Sequence, residues 1–337
     1  MSNKQNNIVI TSAVRTAIGS FKGSLKDMYS HELGSIVIKE VIKKSNLNPN
    51  DVDEVIMGQV LTAASGQNPA RQAAIKAGLP AEKTAYIINQ VCGSGLRSVA
   101  SAYQSILSGD SNIVVAGGQE SMSNAPHAVH IHKGKNLDEK NLIDTMVHDG
   151  LWDAFNGYHM GTTAENVAAK WKISRKDQDA FALSSQLKAE AAYMDGKFNK
   201  EIIPVILKSK EKNIKFSVDE HPRKKMTLER LHKLKPAFKN GDTVTPGNSS
   251  GLNDGAAAVI LMNEDEAKKR KLSPLAKIVS WSTCGVDPSL MGSGPIPASK
   301  EALKKAEIKQ KSRDRTILDR TFTNILPKMN INRGFIK

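Results

Sequence analysis

The chain has 337 residues, enough for about two domains that each bury a hydrophobic core. Its 48 lysines and arginines against 34 aspartates and glutamates give a formal charge of +14, which suits a polyanionic ligand, and its two cysteines exclude a disulfide framework. It shows neither a signal peptide nor an apolar run near the roughly 18 residues of a membrane helix, so we predict a cytoplasmic protein that does not bind membranes.

Strand and helix patterns alternate along the first part of the chain, which predicts an α/β fold. Strands are predicted at 8–10, 52–61, 85–88 and 113–118. Helices are predicted between them at 31–45 and 71–77. The apolar run at 113–118 is typical of a central strand in a parallel sheet.

Cys92 stands between the strand predicted at 85–88 and an amphipathic helix whose apolar residues recur from Leu96 to Leu107. It therefore lies at or just before a helix N-terminus, where unpaired N–H groups and the helix dipole stabilise an anion such as a thiolate. Gly93 and Gly95 leave room for a substrate to approach the backbone. An inert, packed thiol beside a tight turn is the alternative, and the local pattern leaves both interpretations open.

The pattern changes over 119–251, where long polar loops rich in His, Asn and Lys surround two predicted helices. One helix is predicted at 163–171, and the other follows Ser174, a plausible N-cap, and runs to Met194. Long loops in a compact domain are usually functional, so we interpret this region as an insertion that covers an active site.

After the insertion, 253–262 is predicted as a helix turn leading into a strand, 275–282 as a strand and 299–308 as a helix. The segment KEALKK at 300–305 resembles KEVIKK at 39–44, which suggests a duplicated α/β unit. The similarity stops at Lys309, where the second copy lacks the strand that follows the first.

Three other candidate sites are weaker than Cys92. The stretch from Gly247 to Gly251 matches the Gly-x-Ser-x-Gly pattern around Ser249, but no strong strand precedes it, so a turn or ligand-binding loop is favoured. His127, His130 and His132 lack a carboxylate or cysteine at metal-ligand spacing. Cys284 is interpreted as a packed thiol in or after a strand.

Seven stretches together resemble the thiolase family, most closely its short-chain biosynthetic branch. They are RTAIG at 15–19, GQNPARQ at 66–72, NQVCGSGL at 89–96, GGQESMS at 117–123, YHMGTTAEN at 158–166, GLNDGAA at 251–257 and MGSGPIPA at 291–298. The resemblance implies an α/β fold of duplicated βαβ halves with parallel-rich sheets and an inserted loop domain, the second half being truncated here.

The resemblance also implies domain boundaries. Residues 1–118 and 252–270 would form the N-terminal half, 119–251 a loop domain that binds coenzyme A, 271–308 a partial C-terminal half, and 309–337 an atypical basic tail.

The activity implied by the resemblance begins when Cys92 takes the acetyl group of acetyl-CoA as a thioester. A second acetyl-CoA then attacks this thioester to give acetoacetyl-CoA, and thiolysis is the reverse; coenzyme A thioesters are substrates, and no cofactor or metal is expected. The residues implied to contact the coenzyme or the acyl group are Leu151, His159, Met160, Arg223, Phe238, Ser250 and Met291. A homo-oligomer, dimer or tetramer, is implied as well, without nucleic-acid binding.

The chain departs from the family in two regions. Arg230 and Pro246 stand where the family often has a small polar residue and an alanine. Past Ile308 the family has a Gly-His-Pro motif, whose histidine activates the nucleophile, and a second Cys-x-Gly-Gly-Gly motif, whose cysteine moves the proton of the second substrate. Neither motif occurs in the chain, and we interpret 309–337 as a shifted reading frame or unrelated sequence.

From the sequence we therefore predict that the chain has little or no catalytic turnover. The alternative is a non-catalytic remnant that binds coenzyme A or a partner subunit. A third alternative is nucleic-acid binding through 309–337, which hold eight lysines and arginines and two aspartates.

Overall fold

The computed structural model describes residues 7–208, 213–238 and 242–307. They belong to two units. Unit 1 takes the described residues of 1–150, 198–221 and 252–278, and unit 2 those of 151–197, 222–251 and 279–337. The domain boundaries expected from the resemblance stay a prediction, and the basic tail lies outside the described residues.

Five strands form the main sheet of unit 1. They are β1 (Ile8–Thr16), β2 (Glu54–Gly58), β3 (Thr84–Ile88), β4 (Ile113–Ser121) and β5 (Asn253–Asn263). Their order is β1-β5-β4-β2-β3. β2 is parallel to β3 and to β4, whereas β5 is antiparallel to β1 and to β4. The expected α/β class is confirmed, with three parallel strands on the side of the sheet that carries Cys92.

The helices of the described residues agree with most of the helix predictions to within about one turn. They are α1 (Ser30–Lys44), α2 (Pro69–Lys76), α3 (Ser94–Ser108), α4 (Thr145–Gly150), α5 (Met160–Lys170), α6 (Arg175–Met194), α7 (Leu228–His232), α8 (Glu264–Lys269) and α9 (Pro295–Lys305). Ser174 caps α6 as predicted, because its side chain accepts a hydrogen bond from the N–H of Asp177.

Short strands of two or three residues complete the structure. Three of them extend the main sheet: Gly19–Ser20 pairs with β5, and Ile202–Ile203 and Ala276–Lys277 pair with β1. The others form three small two-stranded sheets, which are His127–Ala128 with Ile143–Asp144, Val205–Leu207 with Ile214–Phe216, and Trp152–Asp153 with Tyr158–His159. Among the described residues no helix is both long and apolar enough to cross a membrane.

The core of unit 1 lies on both faces of the sheet, because alternate residues of a strand point to opposite faces. On one face Val55 and Met57 pack with buried residues of α1 and α2. On the other face Ile56 packs with Ala102 and Ile106 of α3. α3 is thus held against the sheet by its apolar stripe, and this fixes the position of the turn before it.

Two segments differ from the strand predictions. The segment 253–262 is one strand throughout, without a preceding helix turn, because its glycine and alanines allow close pairing on both sides. An added Cβ on Gly117 of β4 would lie 2.1 Å from the carbonyl oxygen of Ala257. The strand predicted at 275–282 is reduced to Ala276–Lys277, which pairs with Val9 and Ile10 of β1.

In unit 2, α5 packs through Val167 and Ala168 against Ile173. Asp179 of α6 is fully buried, and its carboxylate accepts hydrogen bonds from Arg175 Nε at 2.8 Å and Asn248 Nδ2 at 3.0 Å. Buried charges need such partners, so this group ties α6 to the turn that contains Asn248.

Candidate active site

The first turn of α3 packs directly on the carboxyl ends of the parallel strands. An added Cβ on Gly58, the last residue of β2, would lie 2.4 Å from the carbonyl carbon of Ser94. Only glycine permits this close approach. Cys92 lies in the connection from the end of β3 to α3. It is therefore at the carboxyl ends of the parallel strands, where substrates usually bind.

The Cys92 thiol is exposed. Within the described part of the chain, the N–H groups of Cys92, Gly95 and Leu96 donate no hydrogen bond. An added Cβ on Gly95 would meet no atom within 4 Å, so the space beside this backbone is open. These features confirm the predicted helix N-terminus and offer backbone donors to an anion or a polarised carbonyl.

The turn before Cys92 contains an unusual backbone conformation that the sequence did not predict. Val91 has a φ of 46°, in the left-handed region that β-branched residues rarely adopt. The side chains of Asn89 and Ser94 both bond to the Val91 backbone. Such conformations cluster at functional sites.

Glu120, near the end of β4, is a second group that the sequence analysis missed. Its carboxylate accepts hydrogen bonds from the N–H groups of Val60 at 2.8 Å and Leu61 at 3.3 Å. Burial nevertheless raises the pKa of Glu120 to about 7. It lies in the GGQESMS stretch, yet nothing in that pattern distinguishes a buried acid from an exposed one.

All seven residues expected to contact the coenzyme or the acyl group lie in unit 2, whereas Cys92 lies in unit 1. The structure brings four of the seven close together. The N–H of Met160 donates to the carbonyl of Leu151 at 2.8 Å, and the rings of His159 and Phe238 stack with their centroids 4.9 Å apart.

His159 has a defined hydrogen-bonding state. Burial lowers its pKa, so the imidazole is neutral at neutral pH. Its Nδ1 accepts a hydrogen bond from the N–H of Gly161 at 3.0 Å, which leaves the ring proton on Nε2. His159 is therefore a hydrogen-bond donor through Nε2.

The remaining three residues are placed as follows. Met291 lies in the 3-10 helix Pro288–Ser293, which is joined to α5 by the hydrogen bond of Asn166 Nδ2 to the Ser289 carbonyl at 3.0 Å. The exposed Arg223 donates its N–H to Gln186 Oε1 of α6 at 2.8 Å. Ser250 is exposed and follows the turn at Asn248.

The competing candidates find no support in the structure. Ser249 follows a turn, not a strand, and its hydroxyl donates to the carbonyl of Thr245. Among residues 7–208, 213–238 and 242–307, no group of three His, Cys, Asp or Glu side chains is arranged to hold a metal ion. Cys284 is half-buried in a segment without helix or strand.

Comparison with known families gives two matches. Residues 8–265 match the thiolase N-terminal domain, and residues 272–330 match the thiolase C-terminal domain. The second match extends into the stretch that we interpreted as unrelated sequence, so the comparisons do not confirm the predicted truncation.

Several similar proteins are acetyl-CoA acetyltransferases. That of Paracoccus denitrificans is 60% identical over 298 residues, which are 88% of this chain and 76% of that protein. The cytosolic one of Mus musculus is 54% identical over 301 residues, 89% of this chain and 76% of that protein. The crystal structure of the Bacillus anthracis acetyl-CoA acetyltransferase superposes with a TM-score of 0.92 at 40% identity, covering 99% of this chain and 86% of that one.

Proposed function

The chain belongs to the thiolase family, and we propose that it condenses two acetyl-CoA molecules to acetoacetyl-CoA and catalyses the reverse thiolysis. It is an enzyme of the acetyl-CoA acetyltransferase type, as relatives at 50 to 60% identity are named. The observation that carries the proposal is the exposed Cys92 thiol beside free N–H groups at the start of α3. The comparisons do not support the alternative of an inactive remnant.

In the first half-reaction, the Cys92 thiolate attacks the carbonyl carbon of acetyl-CoA and forms a carbon–sulfur bond. The bond to the coenzyme sulfur breaks, and coenzyme A leaves as a thiolate, so the acetyl group stays on Cys92 as a thioester. The free N–H groups at the start of α3 are suited to hold the oxygen that becomes negative in this step. A covalent intermediate splits one difficult transfer into two easier ones.

In the second half-reaction, the methyl carbon of a second acetyl-CoA loses a proton and attacks the thioester, and Cys92 leaves as the thiolate. The family resemblance assigns the proton transfers to the Gly-His-Pro and second cysteine motifs. Neither occurs in the 337 residues. The proposal thus has two separately measurable parts, acetylation of Cys92 and complete turnover.

We propose that unit 2 supplies the coenzyme and acyl contacts. His159 offers a hydrogen-bond donor, and the stacked Phe238 with Leu151, Met160 and Met291 offers apolar contact for the pantetheine and acyl group. The exposed cation of Arg223 suits the coenzyme's phosphates, and the exposed hydroxyl of Ser250 suits its pantetheine amides. The loop domain proposed at 119–251 contains six of these seven residues.

Three further proposals follow from the family. The substrates are acetyl-CoA and acetoacetyl-CoA, with coenzyme A as a substrate and no bound cofactor. The chain acts as a homo-oligomer, a dimer or a tetramer. It acts in the cytoplasm, as the name of the mouse relative indicates for that protein.

The test is thiolysis of acetoacetyl-CoA by the purified chain, followed as loss of the substrate's enolate absorbance when coenzyme A is added. We expect Cys92→Ser to lower the rate by roughly a thousandfold or more, since the nucleophile is lost. Cys284→Ser is the matched control and should retain the wild-type rate. A Cys92→Ser variant that is as active as the wild type would refute the assignment.

A further inference from the structure

We propose that Asn89 is a positioning residue, which holds Val91 in its left-handed conformation and so presents Cys92 for acyl transfer. The proposal rests on the proposed function, in which Cys92 accepts the acetyl group. It concerns the connection between β3 and α3, residues 89–93, which we name the nucleophile turn.

The backbone of Val91 needs external support. Its φ of 46° places a β-branched side chain in a region that costs it steric strain. Val91 is 47% exposed, so core packing does not impose this conformation. The neighbouring residue is Cys92, and a change in the Val91 dihedrals would redirect its N–H and its thiol.

Hydrogen bonds hold both ends of Val91. Asn89 Oδ1 accepts from the Val91 N–H at 2.9 Å, an Asx turn. The Ser94 hydroxyl donates to the Val91 carbonyl at 2.5 Å, and the Ser94 N–H donates to it at 3.0 Å. The Val91 N–H is thus held by Asn89 and its carbonyl by Ser94.

Asn89 also connects the nucleophile turn to the sheet. Its Nδ2 donates to the Val60 carbonyl at 3.4 Å, and the Val60 N–H donates to the Glu120 carboxylate at 2.8 Å. The Asn89 side chain therefore links, through hydrogen bonds, the backbone before Cys92 to the residues that follow β2. Because Asn89 is exposed whereas Ser94 is buried, Asn89 can be replaced without disturbing the core.

The test compares variants of the full chain by three measurements: acetylation of Cys92 by acetyl-CoA, alkylation of Cys92 by iodoacetamide and the thermal midpoint. Asn89→Leu and Asn89→Ala remove the acceptor, whereas the hydroxyl of Asn89→Ser can restore it in part. The control is Asn263→Leu, which removes a similar bond at the start of α8, where the Asp265 N–H donates to Asn263 Oδ1 at 3.0 Å.

We expect acetylation to fall roughly tenfold or more in Asn89→Leu and Asn89→Ala, because a small misplacement of a nucleophile has a large kinetic effect. Alkylation, which makes little positional demand, should change less than about twofold, and Asn89→Ser should recover most of the acetylation rate. Asn263→Leu should acetylate as the wild type does. If Asn89→Leu does not fold, Asn89→Ala gives the result.

A double variant tests whether Asn89 affects acetylation by holding the backbone of Val91. Glycine adopts the left-handed conformation without strain, so in a Val91→Gly background the loss of Asn89 should lower acetylation by a clearly smaller factor. An equal factor in both backgrounds, or wild-type acetylation in Asn89→Leu and Asn89→Ala, overturns the positioning role while Cys92 remains the acyl acceptor. A wild-type chain that alkylates but is not acetylated overturns the proposed function itself, and the positioning role with it.

Discussion

Glu120 is a residue whose protonation state departs from its ordinary one. Its carboxyl group is largely buried near the end of β4, and burial raises its pKa to about 7 despite hydrogen bonds from the backbone N–H groups of Val60 and Leu61. The nearby Asp254 raises the pKa further, and its own pKa is raised mainly by burial. The folded protein therefore keeps a proton on Glu120 at a pH where the unfolded chain has released it.

This difference predicts that stability falls as pH rises. Between the ordinary value of 4.5 and about 7, the folded state binds the proton and the unfolded state does not, so the free energy of unfolding decreases through this window. For Glu120 alone the decrease is on the order of 3 kcal/mol in total. The measurement is urea denaturation at several pH values, for wild type and Glu120→Gln.

We expect Glu120→Gln to flatten the pH dependence, although the amide nitrogen cannot accept a backbone hydrogen bond, so the substitution lowers the overall stability. Part of the slope should persist because of Asp254. The exposed Glu139→Gln is the control and should keep the wild-type slope. Parallel curves for wild type and Glu120→Gln would show that Glu120 does not titrate in this range.

The sequence predicts the identity of the nucleophile but not how its surroundings are held. Cys92 is predicted as the nucleophile because its motif resembles the thiolase family, whereas the local strand and helix patterns alone leave a packed thiol open as well. The left-handed Val91 could not be predicted, because valine disfavours that conformation and only the bonds from Asn89 and Ser94 explain it. The buried state of Glu120 depends on residues 60 positions away in the chain.

At the scale of elements, the contact between β2 and α3 positions the nucleophile turn. Gly58→Ala should destabilise unit 1 by about 1–3 kcal/mol, because the new methyl group would overlap the Ser94 backbone and push the first turn of α3 outward. Chemical denaturation measures this loss, and acetylation of Cys92 should slow in the same variant.

The control for Gly58→Ala is Gly95→Ala, at the residue that directly follows Ser94 in α3. An added Cβ there meets no atom within 4 Å, and alanine favours a helix more than glycine does, so stability should be unchanged or slightly higher. Equal stability of wild type and Gly58→Ala would show that β2 and α3 do not approach as closely as described.

Elements in which apolar residues recur with a clear periodicity were predicted well, whereas strands that depend on a partner strand were not. α6 has a capping residue and a long helical pattern, and its start was found at the correct residue. The glycine and alanines of β5 do not favour a strand by themselves. They are needed there because β4 approaches β5 closely. The segment predicted as a strand at 275–282 has apolar residues, but the described strand there is Ala276–Lys277, opposite Val9 and Ile10.

At the scale of the whole molecule, Arg15 joins distant parts of the chain within unit 1. Its guanidinium donates from Nε to Glu201 at 2.8 Å and from Nη1 to Asp219 at 2.8 Å. Burial alone would lower the pKa of Arg15, but the hydrogen bonds and charges of Asp219 and Glu201 outweigh burial and raise the pKa above its ordinary value. Arg15 belongs to the RTAIG stretch, and its partners lie 204 and 186 positions away, so the sequence could not reveal the ion pairs.

Arg15→Ala should destabilise the chain by about 3 kcal/mol, because it removes the guanidinium that bonds to the nearly buried carboxylate of Asp219. Urea denaturation measures the change. Lys268→Ala removes an exposed ion pair with Glu264 and should change stability by less than about 1 kcal/mol. A similar small effect of both substitutions would mean that the Arg15 ion pairs contribute little.

The assignment to the thiolase family was predicted from motifs that lie before Lys309, and it is confirmed by the matches to both thiolase domains. The positions of the domain boundaries are a harder problem for sequence reasoning. Each of the two units is assembled from three separate segments of the chain, and their boundaries depend on contacts between residues far apart in sequence.

The most direct test of the account is the covalent state of Cys92 after the purified chain is incubated with acetyl-CoA, quenched in acid and digested for mass spectrometry. We predict one acetyl group on the Cys92 peptide, none on the Cys284 peptide, and loss of the label when free coenzyme A is added before the quench. An unmodified Cys92 peptide, under conditions in which the Paracoccus denitrificans relative is acetylated, would contradict the account.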